Sequence, residues 1–70
     1  MKVRNDFLKK VMKFGSLDTQ NYRYRVKNVT EPEYQYAIIE RVSLVDLGTT
    51  AALSWQLVAT TWDGEHFLHA

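Results

Sequence analysis

From Val3 to Phe14 the apolar residues recur at helical spacing. Most of Val3, Phe7, Leu8, Val11, Met12 and Phe14 gather on one side, and Lys9, Lys10 and Lys13 fall elsewhere. This pattern predicts an amphipathic helix over residues 5–14. Asn5 or Asp6 can accept hydrogen bonds from the free amides of the first turn, the lysines suit the negative C-terminal end, and Gly15 can take the left-handed conformation that stops the helix. The polar stretch SLDTQ, Ser16 to Gln20, reads as a connection.

At Asn21 the period becomes two-fold. Tyr22, Tyr24 and Val26 point one way and Arg23, Arg25 and Lys27 the other, which predicts a strand. Pro32 in VTEPE suits a turn, and the β-rich run from Tyr34 to about Leu47 reads as the second strand of an antiparallel hairpin. Gly48 and two threonines interrupt the pattern. It then resumes over 51–62, with Leu53, Trp55, Leu57 and Ala59 alternating against Ser54, Gln56 and Thr60. The rival for this segment is a helix, which its alanines and leucines tolerate; the β-branched, aromatic and turn-forming TTWDG favours the strand. Asp63-Gly64 carries the signal of a tight primed turn, whose two central residues need positive φ, and EHFLHA can return as a short last strand.

The predicted fold class is therefore α+β, a single domain over residues 1–70 with an N-terminal amphipathic helix packed on a four-stranded antiparallel β-meander. One helix covers one sheet face, so a monomer should show a polar second face. The second strand does not read that way. Tyr34, Tyr36, Ile38, Glu40, Val42, Leu44 and Asp46 fall on one side and Gln35, Ala37, Ile39, Arg41, Ser43 and Val45 on the other, with at least three apolar residues on each. Either a twisted or bulged sheet curls part of the second face onto itself, or a second polypeptide covers it.

Composition narrows the choices. Aromatic residues make up 13% and hydrophobic residues 46% of 70 positions, which supports a folded domain. Without cysteine there is no disulfide, thiolate metal site or cysteine nucleophile, in keeping with a reducing compartment. Nine basic and eight acidic residues leave a net charge of +1, too small for a global field that attracts polyanions. No apolar run approaches the ~20 residues needed to span a bilayer, and MKVRNDFLKK lacks the apolar segment of a secretory signal. The expected location is cytoplasmic, with no membrane partner.

Chemistry-bearing motifs are sparse. His66 and His69 stand near Asp63 and Glu65, but positions three apart face opposite ways in a strand, so no metal site or cofactor is expected. No nucleophile elbow, dinucleotide fingerprint or phosphate loop is present, and no carboxylate spacing marks an acid and base pair, so the protein reads as not an enzyme.

The leading expectation is a small non-catalytic protein-binding module, a regulator or inhibitor of bacterial or viral kind. It would act through a sheet face or strand edge on another protein or on a second copy of itself as a homodimer. Tyr34, Tyr36, Ile38 and Trp62 are its candidate apolar contacts, with Arg23 and Arg25 as charged rim. The alternative is an RNA- or single-stranded-DNA-binding sheet using Arg23, Arg25 and Lys27 along phosphates and Tyr34 and Tyr36 to stack bases, provided register sets the tyrosines beside the arginines. Glu40 and Asp46 are positioned to neutralise part of the basic row.

Overall fold

A computed structural model describes residues 3–45 and 55–70. Helix α1 (Asn5–Phe14) precedes five strands, β1 (Ser16–Asp18), β2 (Tyr22–Thr30), β3 (Gln35–Ser43), β4 (Gln56–Thr61) and β5 (Leu68–His69). All neighbours are antiparallel, in the sequential order β1-β2-β3-β4-β5. The expected α+β meander is present, with β1 added at one edge.

Helix α1 forms where the periodicity places it, and Leu8 and Val11 are fully buried. Its start differs from expectation. Arg4 occupies the N-cap without a side-chain hydrogen bond, and the Asn5 side chain instead contacts His69 Nε2 at 2.8 Å. Phe14 lies exposed beside Lys13, outside the buried stripe. Gly15 ends the helix at φ 80°, its N–H donating to the Val11 carbonyl at 2.8 Å. No atom lies within 4 Å of where a Cβ would sit, so a side chain there is opposed by backbone conformation alone. Gly15→Ala is expected to lower stability by about 1–2 kcal/mol, read as a shifted urea midpoint at constant m-value.

The reversal at Gly15 also explains β1. The Gly15 carbonyl accepts the Val26 N–H at 2.9 Å, which delivers Ser16 directly onto the β2 edge. Leu17 then faces the core opposite Tyr24, and Asp18 faces away opposite Arg23. Residues 16–18 alternate as a strand should, over a span too short for periodicity to separate from a linker.

Under α1, the buried cluster is Leu8, Val11, Tyr24, Ile39, Val58 and Ala59, extended by half-buried Val3, Phe7, Met12, Leu17, Tyr22, Val26 and Phe67. The Phe7 and Tyr24 rings meet edge to face at 4.8 Å between centroids. A β-bulge shapes the far side of this core. Ala59 pairs with Ile39 and Leu57 with Glu40, so Val58 is the extra residue of β4. Val58 and Ala59 both enter the core, and Leu57 moves to the opposite face.

Two further boundaries differ from the sequence reading. The second long run leaves the sheet after Ser43, with Leu44 and Val45 in a turn; Asp46 and Leu47 lie outside the described residues, as do positions 51–54 of the third strand. At Asp63-Gly64 only Gly64 has positive φ, 77°, so the tight primed turn does not form. In its place Asp63 Oδ1 accepts from the Glu65 and His66 amides, each at 2.8 Å, and Thr61 Oγ1 accepts from the Gly64 amide at 2.8 Å. The short polar side chains satisfy the backbone of a wider loop. Among the described residues no helix is long and apolar enough to cross a membrane.

Candidate binding face

The β2–β3 register sorts the expected residues. Arg23 pairs with Val42, Arg25 with Glu40, Lys27 with Ile38 and Val29 with Tyr36, all on the face remote from α1. Thr60, opposite Ile38, and Leu68, opposite Thr60, continue this face across β4 and β5. Its two ends have different chemistry.

Where the β2–β3 turn and the β4–β5 loop meet the sheet, Tyr34 stacks on Tyr36 at 5.9 Å and Tyr36 lies 5.7 Å from Trp62. Tyr34 is 54% exposed and Trp62 61%, with Tyr36 and Ile38 half-buried beside them. Leu68 adds apolar surface beside Thr60, 67% exposed, and Leu57, 49% exposed, lies opposite Glu40 toward the other end of the face. Strand alternation places Tyr36 and Ile38 on one side, the Asp63 loop reverses the backbone after Trp62, and the antiparallel order sets the rings side by side. The turn carries Glu31 and Glu33, the loop Asp63 and Glu65, all exposed, and Lys27 is the base nearest the aromatic row in the register.

The other end is basic but internally paired. Arg23 makes a two-pronged contact with Asp18, Nε to Oδ1 at 2.9 Å and Nη2 to Oδ2 at 3.0 Å. These hydrogen bonds hold the Asp18 carboxyl below its ordinary pKa and raise that of the Arg23 guanidinium. Arg25 donates to Glu40 at 3.2 Å and its guanidinium lies 3.7 Å from the Trp55 ring centroid. The expected neutralisation by Glu40 reaches Arg25; Arg23 is answered by Asp18, and Asp46 lies outside the described residues.

The register does not set Tyr34 and Tyr36 beside Arg23 and Arg25. Tyr36 and Glu40 are four positions apart, about 13 Å along a strand. The stack of bases over a basic row that the nucleic-acid reading requires is therefore split between two ends of the sheet. Val42, opposite Arg23, is buried although it faces away from α1.

Leu57, Leu68 and Trp55 were not among the expected contacts. Uninterrupted alternation would have put Trp55, Leu57 and Ala59 on one side; the bulge at Val58 separates Ala59 from the other two, and no residue type in QLVAT announces it. Leu68 follows Phe67, and only the structure shows that Phe67 packs on the core and Leu68 is exposed.

The two histidines take separate partners, His66 Nδ1 lying 2.6 Å from Asp63 Oδ2 and His69 contacting Asn5. Among the described residues no three His, Asp or Glu side chains gather as metal ligands would. The side-chain hydrogen bond raises the His66 pKa above 6.5, with Lys9 opposing weakly, and the same contact with the His66 and Glu65 amides lowers that of Asp63 below 3.8. A raised histidine contributes stability in the acidic range, which is lost as pH climbs through its folded pKa; a lowered carboxylate contributes above its unfolded pKa, and loses it as pH falls through the folded one. The charged pair thus spans the range between these two pKa values. Ring-proton NMR is expected to give a His66 midpoint above 6.5 that returns toward 6.5 in Asp63→Asn. Identical midpoints in both proteins would refute the pairing.

No family model, curated protein or solved structure matches this sequence.

Proposed function

We propose that this protein is a small non-catalytic protein-binding module, a regulator or inhibitor that works by occupying a partner's surface with its helix-free sheet face. The observation that carries the reading is the aromatic row Tyr34, Tyr36 and Trp62, exposed at Tyr34 and Trp62 and half-buried at Tyr36, with Ile38, Leu57 and Leu68 on the same face. Aromatic side chains contribute large contact area with little conformational freedom to lose, and they dominate binding hot spots. The partner is another protein or a second copy of the same one. Arg23 and Arg25 form a charged rim whose guanidiniums are already engaged within the molecule.

Two features favour a protein over a nucleic acid. The aromatic row lies between Glu31 and Glu33 on one connection and Asp63 and Glu65 on the other, where a phosphate backbone would be repelled. The arginines that would track phosphates are committed to Asp18 and Glu40. The titratable groups with shifted pKa, Asp63 with His66 and Asp18 with Arg23, are exposed and engaged with each other, which suits a binding surface better than a reaction centre.

The test is molar mass by light scattering across a concentration series at two salt levels, with and without a mixed RNA and single-stranded DNA pool. It is run beside affinity capture on the wild-type protein and on Ile38→Glu. Glu at position 38 would face Lys27, a favourable cross-strand pair, so that variant should fold. A concentration-dependent dimer, or a captured protein, that is lost in Ile38→Glu and in Tyr36→Ala supports the proposal. Association unchanged in both folded variants, or a mass that rises only with nucleic acid, overturns it.

A further inference from the structure

At the sheet end remote from the aromatic row, a cleft of about 520 Å³ opens between the start of α1 and strands β2 and β3, on the helix side. Val3, Phe7, Tyr22 and Tyr24 supply its apolar and ring surface, and Arg4 and Arg41 its charge. The volume lies within the range of small-molecule sites.

Arg41 is the unusual member. It is half-buried, its guanidinium is 4.3 Å from the Tyr22 ring centroid, and Nη1 donates to Tyr24 Oη at 3.2 Å. Tyr24 is itself 4% exposed and packed on Phe7, so the guanidinium is fixed by the core. A guanidinium has five N–H donors, and among the described residues no carboxylate lies within ion-pair distance of this one. The contrast with Arg23 and Arg25, each paired to an acid, is internal to the same sheet. Arg4 contacts Asp6 only at 4.0 Å, with both side chains more than 80% exposed.

We propose that this cleft binds a small carboxylate with an aromatic or alkyl body. The carboxylate meets the planar fork of Arg41, with Arg4 adding attraction at the mouth, and the body lies against Val3, Phe7 and Tyr22. A planar, partly desolvated guanidinium held on a ring suits a two-pronged carboxylate contact. The site is independent of the aromatic row, on the other face and at the other end of the sheet.

The test titrates the folded protein with naphthoate, with neutral naphthamide and with an acetylated dipeptide ending in phenylalanine, following ring resonances of Phe7 and Tyr22 by NMR. Naphthoate is expected to give saturable shifts. Naphthamide should bind at least about tenfold more weakly, as should naphthoate to Arg41→Lys, because a charged hydrogen bond is lost or misaligned. Arg4→Gln, at an exposed position, should weaken binding less. A dipeptide that binds more tightly than naphthoate identifies the carboxyl-terminal ends of peptides as the natural source of the carboxylate, and the reverse identifies free small acids. Naphthamide binding as tightly as naphthoate, or no saturable shift with either carboxylate, overturns the proposal. The wild-type comparison of acid with amide decides the matter even if Arg41 variants fail to fold.

Discussion

Ile39→Ala is expected to remove about 2–5 kcal/mol of folding stability, the range for truncating a buried isoleucine in a packed core. Ile39 is fully buried at the middle of the central strand, paired with Val26 on one side and Ala59 on the other, and belongs to the same buried cluster as Leu8 and Val11. Its neighbours cannot close the gap easily. Ala59 has no longer side chain to swing in, and the bulge beside it holds β4 in a fixed offset. Small domains have roughly 5–15 kcal/mol in total and a protein this short belongs near the bottom of that range. The variant should therefore be largely unfolded at the temperature where the wild type melts halfway, and Ile39→Val should lose only about 0.5–1.5 kcal/mol. Urea denaturation with matched m-values measures both. A loss below about 1 kcal/mol for Ile39→Ala would mean that the core is looser than its burial implies.

Trp62→Ala is expected to have the largest effect on association with little effect on folding. Truncating a hot-spot tryptophan costs about 2 kcal/mol or more, a fall in affinity of roughly 30-fold. Trp62 is mostly exposed and lies one residue past β4, so its loss leaves the core untouched. Its contact with Tyr36 gives the effect a second route, because Tyr36 would lose the ring that supports it. Arg23→Gln is the comparison, expected to change affinity little, since its guanidinium serves Asp18. Titration calorimetry on the complex, with circular dichroism as the folding control, distinguishes them. Equal losses from Trp62→Ala and Arg23→Gln would move the interface away from the aromatic end.

Much of this architecture was legible before any coordinates. The helix could be read because ten residues hold three turns of periodicity and Gly15 supplies a sharp stop. The β2 alternation could be read because tyrosines and arginines differ so strongly, and it assigned Tyr24 and Arg25 to the correct sides. What escaped were features set by tertiary geometry. β1 exists because the turn at Gly15 aims Ser16 at an open strand edge. The loop after Trp62 widens because the Asp63 carboxylate finds two amides and an imidazole. For the candidate face, Tyr34, Tyr36 and Ile38, which alternation places on one side, do lie together with Trp62, chosen for its aromatic ring, while Arg23 and Arg25 lie on the same face but away from the rings. Their distance from the aromatic row is a matter of register, which residue types alone leave open.

The bulge at Val58 also divides β4 into two reading frames. From Ala59 to Thr61 the residues that face the helix are odd-numbered, and at Gln56 and Leu57 the parity is reversed. Removing the extra residue would keep Leu57 opposite Glu40 and Gln56 opposite Arg41, so both halves would hold their sides while the core lost the Val58 side chain. A deletion at this one position would therefore subtract a side chain from the interior and leave the outward-facing residues of β4 where they are.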